Sequence, residues 1–153
     1  MIELRVVDPA GPDAQWCIEQ YFAFLDERFP DGFQAGNDLA GDRAELGPPG
    51  GAFIVAYEDD RPVGCGALRT FAADVGEIKR MWVAEPWRGQ GLGARILAAL
   101  EDEARRKDCT KVHLDTDDTL LPAIAMYRSR GYADVPPYND NPYAKLWFVK
   151  ELA

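Results

Sequence analysis

Apolar and polar positions alternate along several short stretches of the chain, which is the pattern of half-buried β-strands. Residues 2–7 show it most clearly, and residues 53–57, 63–70, 75–84 and 111–115 are further predicted strands. Two closing strands are predicted at 132–135 and 146–150. The polar turn at 59–62 joins the second and third strands into a hairpin. Gly64 and Gly66 lie within the third strand and predict a bulge there, or the close approach of another backbone.

Three other stretches repeat their apolar residues at helical spacing. The first helix is predicted to begin at Asp13 as its N-cap and to end near Arg28, before a proline. The second runs over 91–107. The third runs over 120–130, with Thr119 as its cap and Gly131 as its stop. Residues 31–51 are rich in glycine and proline and predict a long loop, with one helical turn near 39–46.

The predicted order of elements is β-α-loop-β-β-β-α-β-α-β-β. This order indicates an α/β fold in which a mixed central sheet is flanked by helices. A length of 153 residues, with no repeat and no linker-like segment, predicts a single domain over 1–153.

Charge is distributed unevenly along the chain. The net charge is −9, and residues 1–60 hold 13 acidic and 3 basic side chains, whereas the remainder holds 13 and 14. A surplus of acid argues against nucleic acid as a partner, since phosphate binding needs basic patches. It favours a cationic partner, although solubility alone would also account for it.

The sequence lacks the patterns of membrane spans, secretory leaders and cysteine metal sites. No run reaches the roughly 18 apolar residues of a membrane span, and no basic and apolar leader begins the chain. We therefore expect a cytoplasmic protein with no membrane partner. The three cysteines are isolated and lack metal spacing, which predicts buried free thiols and no metal site.

A glycine-rich segment, Arg88-Gly89-Gln90-Gly91-Leu92-Gly93, stands between a predicted strand and a predicted helix. Glycines let a backbone approach a ligand closely, and the first N–H groups of a helix have no partner inside it. The helix dipole and the Arg88 guanidinium both favour an anion at this point. The segment therefore predicts a pyrophosphate site.

This segment, shortly after the strand that contains Trp82 and Val83, resembles the acetyl-CoA loop of the GNAT superfamily of N-acetyltransferases. The resemblance implies the family fold, acetyl-CoA as co-substrate, and direct acetyl transfer to a primary amine. In the family, backbone groups at Met81 and Val83 would pair with the pantetheine arm, and an N–H near Met81 would hold the oxyanion. The cofactor-binding residues so implied are Met81, Trp82, Val83, Arg88, Gly89, Gln90, Gly91, Leu92, Gly93 and Ala94.

Tyr127 is the first candidate catalytic residue. Many members of the family place a tyrosine at this point of an Ala-x-x-x-Tyr stretch, where it protonates the departing CoA thiolate. A phenol is a suitable acid for a thiolate because their reference pKa values are close. Leu120 stands where the family often has an asparagine that contacts pantetheine. The alternative for Tyr127 is an aromatic core residue.

Glu77 is the second candidate, as the general base that removes a proton from the ammonium, directly or through water. The family's histone acetyltransferases place a glutamate base at the start of a similar strand. Alternation puts Glu77, Lys79, Met81 and Val83 on one face of the strand and Ile78, Arg80 and Trp82 on the other. The alternative is a structural ion pair of Glu77 with Lys79 or Arg69. The only histidine, His113, is predicted to be structural.

Two other functions remain open at this point. Gly89 to Ala94 also satisfies the dinucleotide pattern Gly-x-Gly-x-x-Ala, and Asp115 ends the next strand, as in a Rossmann enzyme. A non-catalytic acyl-CoA-binding regulatory module would keep the loop without turnover. We favour an N-acetyltransferase whose acceptor is a small cationic amine. The family also implies a homodimer as one assembly.

Overall fold

The computed structural model of the protein describes residues 1–29 and 45–152. Of the loop predicted at 31–51, only residues 45–51 are therefore described, and the predicted turn at 39–46 falls almost wholly outside. The strands are β1 (Ile2–Val7), β2 (Ala52–Glu58), β3 (Arg61–Ala72), β4 (Val75–Val83), β5 (Lys111–Thr116), β6 (Ala133–Val135) and β7 (Leu146–Glu151). The helices are α1 (Pro12–Arg28), α2 (Leu92–Arg106) and α3 (Leu121–Ser129), with a 3-10 turn at Glu85–Trp87.

The seven strands form one sheet in the order β1-β2-β3-β4-β5-β7-β6. Every neighbouring pair is antiparallel except β4 and β5, which run parallel because helix α2 carries the chain back between them. The predicted mixed sheet flanked by helices is confirmed. No helix among the described residues is both long and apolar enough to cross a membrane.

Each face of the sheet carries its own hydrophobic cluster. One face packs against α1, and its cluster includes Ile18, Phe53, Val55, Cys65 and Ala67. The other face packs against α2 and α3, and its cluster includes Leu68, Ile78, Ile96, Val112 and Leu114. The cluster to which a strand residue belongs therefore shows on which face of the sheet its side chain lies.

Two predicted helix caps are wrong. Gly11 caps α1, while Asp13 lies in its first turn and accepts a hydrogen bond of 2.7 Å from the Tyr57 hydroxyl. Leu120 caps α3, because the Thr119 hydroxyl is turned to the Asp117 carboxylate instead. In both cases the polar side chain predicted as the cap bonds to another side chain and makes no hydrogen bond to the helix end.

The bulge predicted around Gly64 and Gly66 is confirmed, and it changes the faces of β4. Cys65 is level with Trp82 and Ala67 with Lys79, so two residues of β4 lie opposite Gly66 alone. Arg80 takes up the extra residue with a φ of 58°.

The predicted alternation along β4 is wrong beyond this bulge. Ile78, Met81 and Val83 pack with the α2 face, whereas Trp82 packs with the α1 face. Lys79 pairs with Ala67 of the α1 cluster and therefore shares its face. Met81 and Val83 are thus on the face opposite to Lys79.

Strands β4 and β5 are joined only at their beginnings. The paired residues are Val75 with Lys111, Gly76 with Val112, and Glu77 with His113. Beyond Glu77 the ladder stops, although both strands continue. A gap therefore opens through the sheet between their carboxyl ends.

Candidate active site

The gap between β4 and β5 is part of a cleft of about 1020 Å³. Ligand sites commonly occupy roughly 300–1000 Å³, so this cleft has room for a large ligand together with a second, smaller one. Its walls come from α1, the end of β4, the start of α2, the end of β5, α3 and residues 139–144. The predicted site residues can be judged by whether they reach this cleft.

The glycine loop lies at one end of the cleft, as predicted. Gly89 and Gly91 have φ values of 77° and 83°, in the left-handed region that favours glycine, and Gly91 caps α2. The first helical hydrogen bond is donated by Arg95 N to Gly91 O, so the N–H groups of the preceding turn have no partner inside the helix. A Cβ built on Gly89 or Gly91 would meet no atom within 4 Å, so there is open space beside both residues, and both line the cleft.

The two polar side chains of the loop differ in where they point. Arg88 lines the cleft, but its Nε donates to the Val83 carbonyl at 2.8 Å and its guanidinium lies 4.8 Å from the centre of the Phe24 ring. Gln90 turns back instead, and its Nε2 donates to the Pro86 carbonyl at 2.9 Å. Gln90 is not among the residues that line the cleft.

The end of β4 presents a free backbone edge to the cleft. Lys79, Trp82 and Val83 are level with residues of β3 on one side, while the other side has lost its ladder to β5. Met81, Trp82 and Val83 all line the cleft. Such an edge can pair with an extended amide-containing ligand, although the Val83 carbonyl already accepts the bond from Arg88.

Tyr127 of α3 lines the cleft and belongs to the hydrophobic cluster on the α2 and α3 face of the sheet. The residue is 6% exposed, and its ring lies 5.9 Å from Tyr132 and 6.0 Å from Phe148. Burial, with smaller contributions from Tyr21 and Asp115, raises the pKa of the Tyr127 phenol well above its ordinary value. The phenol therefore holds its proton at neutral pH.

Glu77 is not brought to the cleft. It is 2% exposed, its Oε1 lies 2.5 Å from Arg69 Nε, and its Oε2 accepts a bond of 3.2 Å from the Tyr138 hydroxyl. Among the described residues that line the cleft, Glu77 is absent and Tyr127 is present. The structure therefore separates the two predicted catalytic residues, and it contains the ion pair with Arg69 that was the alternative for Glu77.

Asp115 at the end of β5 does line the cleft, and the sequence pointed to it only as part of the dinucleotide alternative, not as a catalytic residue. Its Oδ2 accepts a bond of 2.7 Å from Asn139 Nδ2, and Asn139 Oδ1 accepts one of 2.9 Å from Trp147 Nε1. The carboxylate is thus held in place, and it lies close enough to Tyr127 for its charge to raise the pKa of the phenol. Its position at a strand end, opposite a strand with cleft residues, was the available signal.

His113 packs between aromatic rings beneath this site, 4.5 Å from Tyr138 and 5.1 Å from Phe71. Its Nδ1 is buried without a hydrogen-bond partner in the part of the chain that the structure describes. Burial lowers the pKa of His113, and the nearby Lys111 lowers it further.

Comparison with known proteins identifies the relatives of this chain. Residues 15–132 match the Acetyltransferase (GNAT) family. An IAA acetyltransferase from Azospirillum brasilense is 35% identical over 130 residues, which cover 84% of each chain.

Solved structures agree in fold. An acetyltransferase of the GNAT family from Staphylococcus aureus superposes with a TM-score of 0.84 at 15% identity, over the full length of both chains. The PaiA N-acetyltransferase from Thermoplasma acidophilum, solved in complex with coenzyme A, superposes with a TM-score of 0.74 at 13% identity, over 99% of each chain.

Proposed function

Since this chain belongs to the GNAT family of acetyltransferases, we propose that it moves the acetyl group of acetyl-CoA directly to the nitrogen of a primary amine. The observation that carries the proposal is the gap between β4 and β5. An open glycine loop lies at one end of the cleft around it, and a phenol and a carboxylate, Tyr127 and Asp115, line the same cleft.

Acetyl-CoA, as co-substrate, would lie along this cleft. The N–H groups at the start of α2, with Arg88 beside them, form a site suited to the pyrophosphate. The free edge of β4 at Met81 and Val83 is suited to the amides of the pantetheine arm. Gly89 and Gly91 support this assignment, because their open side leaves room for a ligand against the backbone.

Two protons leave the acceptor nitrogen, one before the attack and one as the amide forms, and one proton is supplied to the sulfur. The second nitrogen proton passes to solvent or to the Tyr127 phenolate. The acceptor ammonium loses a proton to a base, and the nitrogen lone pair then attacks the thioester carbonyl carbon. A C–N bond forms as the C–S bond breaks, and the sulfur leaves with the bonding pair as a thiolate. Tyr127 would give its proton to that thiolate, since its raised pKa keeps the phenol protonated until the sulfur becomes basic enough.

We assign the base to Asp115 in place of Glu77. Both are carboxylates, but Asp115 lines the cleft whereas Glu77 is bonded to Arg69 and Tyr138 away from it. A base must reach the proton that it removes, directly or through one water. The role predicted for Glu77 is retained as the competing assignment in the experiments below.

The charge of the acceptor is the least constrained part of the function. The surplus of acid in residues 1–60 is the reason to expect a small cationic amine. The walls of the cleft carry both signs of charge: the cationic side chains are Arg28, Lys79, Arg80 and Arg88, and the anionic ones are Asp115 and Asp117. A field that acts from the surface is screened over about 8 Å at physiological salt, so the charges inside the cleft weigh more at contact.

The test of the function is a thiol-release assay with acetyl-CoA and a broad panel of primary amines. We expect acetylated product with at least some of them, and a rise of the melting temperature with acetyl-CoA but not with NAD. Stabilisation by acetyl-CoA without transfer to any amine would indicate the non-catalytic module instead. Stabilisation by NAD alone would return the loop to a dinucleotide site.

A further inference from the structure

We propose that the acceptor amine carries an anionic group, such as a carboxylate, a few atoms from its reacting nitrogen, and that Lys79 binds this group. The inference rests on the proposed function and adds the chemical class of the acceptor. It begins from two charged residues, Lys79 on β4 and Asp115 on β5, which belong to neighbouring strands.

The register of the two strands sets these residues opposite each other. Glu77 is level with His113 in the last pair of the parallel ladder. Lys79 and Asp115 each follow two residues later, so they stand at matching heights where the gap opens. Because the ladder between the strands ends at that pair, the gap separates Lys79 from Asp115.

Both side chains also lie on the face of the sheet that α1 covers. Lys79 is level with Ala67, which packs in the α1 cluster. Val112 and Leu114 pack on the other face, so alternation along β5 places Asp115 on the side of α1. The cleft lining includes both residues.

The two opposite charges do not neutralise each other. No salt bridge joins Lys79 to Asp115 or to another acid within residues 1–29 and 45–152. An ammonium on a central strand costs free energy unless it has a partner or water. A ligand that brings an anion to Lys79 and an ammonium to Asp115 would satisfy both groups at once.

The phosphates of CoA are not that anion. Lys79 and Val83 are level with Ala67 and Gly64, three residues apart on β3, so roughly 10 Å separates them along the sheet at about 3.3 Å per residue, and the glycine loop begins farther on still. The loop has its own cation, Arg88, and its own N–H groups. Lys79 stands instead beside the gap that the acceptor must enter.

The wall next to Lys79 describes the rest of the acceptor. The Arg80 guanidinium lies 5.2 Å from the Phe22 ring centre and 6.0 Å from that of Tyr21. Phe29 and Tyr143 also line the cleft, and their rings are 4.9 Å apart. These rings favour an acceptor with a flat or apolar body. Because Lys79 would bind its anion and Asp115 its ammonium, the acceptor class is an amino acid or a similar amine acid of zero net charge, in place of a small cationic amine.

The experiment compares pairs of acceptors that differ only in the anion. Aromatic, aliphatic and polar L-amino acids are assayed with acetyl-CoA beside their carboxamides and their decarboxylated amines. We expect kcat/KM for the acids to exceed that for the carboxamides by about tenfold or more, since hydrogen bonds to charged groups are of that strength. Lys79→Gln should remove this preference, and Lys79→Arg should restore much of it.

A matched control is Lys145→Gln, which makes the same charge change at an exposed lysine outside the cleft. It should leave the acid-to-carboxamide ratio and the KM for acetyl-CoA unchanged. The KM for acetyl-CoA should also be unchanged in Lys79→Gln, which separates acceptor binding from a general defect.

Two results would overturn the inference while the enzyme class stands. The first is wild-type turnover of carboxamides or decarboxylated amines that equals or exceeds turnover of the acids. The second is an acid preference that survives in Lys79→Gln. Acetyl transfer to polyamines or peptides with none to the acids would count as the first result, whereas no transfer to any amine would overturn the proposed function itself.

Discussion

The Nε atom of Arg69 lies 2.5 Å from Oε1 of Glu77, on paired residues of β3 and β4. Arg69 also reaches Glu45 at 2.9 Å through Nη1, and the Tyr138 hydroxyl closes the other side of the Glu77 carboxylate. Glu77 is therefore part of a network that ties β4 to neighbouring segments. These contacts are the reason for the proposal that Glu77 has a structural role and that a different carboxylate acts as the base.

The pair of variants Glu77→Gln and Asp115→Asn tests which carboxylate is the base. We expect Asp115→Asn to lower kcat by about 10²- to 10⁴-fold, the usual contribution of general base catalysis. Glu77→Gln should change kcat little but lower the free energy of unfolding by about 1.5–3 kcal/mol, because it weakens a charged hydrogen bond to Arg69. Initial rates and chemical denaturation of both proteins measure these effects.

The opposite pattern, a large loss of kcat in Glu77→Gln with near wild-type turnover in Asp115→Asn, would restore the prediction made from sequence. Asn139→Ala provides a further comparison, since it removes the bond of 2.7 Å that holds Asp115. A positioning role for Asn139 predicts a smaller loss of kcat than that of Asp115→Asn.

The proton donor is tested with Tyr127→Phe. The ring is kept, so packing against Tyr132 and Phe148 should persist. We expect kcat to fall by about 10²- to 10⁴-fold while the Kd for acetyl-CoA, measured by calorimetry, changes little. Wild-type turnover in this variant would make Tyr127 a core residue only.

A matched control for Tyr127 is Tyr132→Phe. Tyr132 is equally buried, but its hydroxyl donates a bond of 2.8 Å to Glu101, which also pairs with Lys150 at 3.0 Å. Its loss should lower the melting temperature and leave kcat near the wild-type value, because the Tyr132 ring does not line the cleft. The two phenols thus separate stability from catalysis.

The phosphate loop is tested by Gly91→Asp against Gly91→Asn. Both side chains must adopt the left-handed conformation at a φ of 83°, which asparagine and aspartate tolerate better than most residues. They differ in charge, and a carboxylate at the start of α2 would stand where a phosphate is expected. We predict that acetyl-CoA binds Gly91→Asp about tenfold or more weaker than Gly91→Asn, by calorimetric titration of folded protein. Equal affinities would remove the phosphate from this loop.

The sequence predicted the order and type of the described elements because their periodicities are strong and their stops are marked by glycine and proline. The bulge was also foreseeable, since Gly66 is the one residue that lets Met81, Ile96 and Leu100 approach the strand so closely. Its effect on the faces of β4 was not, because the residue that adopts the left-handed conformation is Arg80, and arginine carries no such signal.

The predicted residues of the glycine loop line the cleft, apart from Gln90, whereas the predicted base Glu77 does not. The glycine loop is local in sequence, so its geometry follows from Gly89 and Gly91 themselves. The choice between Glu77 and Asp115 depends on where β4 and β5 part, and no local pattern marks that point. The sequence of one strand does not show the residue at which the neighbouring strand separates from it.

Acid stability provides a test of the buried histidine. Burial lowers the pKa of His113 in the folded protein, whereas the unfolded chain binds the proton at about pH 6.5. Below that pH the unfolded state holds more protons, so stability should fall as the pH decreases from about 7 towards the lowered pKa. His113→Phe should reduce this slope between about pH 5 and 7, and since His113 is the only histidine, no other imidazole contributes. An unchanged slope would mean that His113 is protonated equally well in both states.

Ionic strength separates the two sources of charge that could select the acceptor. The acid-rich first 60 residues produce a field that attracts net cations from a distance, and salt at 0.1 M screens such a field over about 10 Å. An acceptor chosen by this field would be cationic, and its kcat/KM would fall steadily as salt rises. An acceptor with zero net charge feels little long-range attraction, and inside the cleft the charges of Lys79 and Asp115 act at contact, where screening is weaker.

We therefore predict that kcat/KM for the preferred acceptor changes little, about twofold or less, between low salt and 0.3 M salt, while that for a decarboxylated cationic analogue falls more. Initial rates at several salt concentrations, with acetyl-CoA saturating throughout, measure both slopes. A steep decline for the preferred acceptor itself would favour the small cationic amine expected from the sequence.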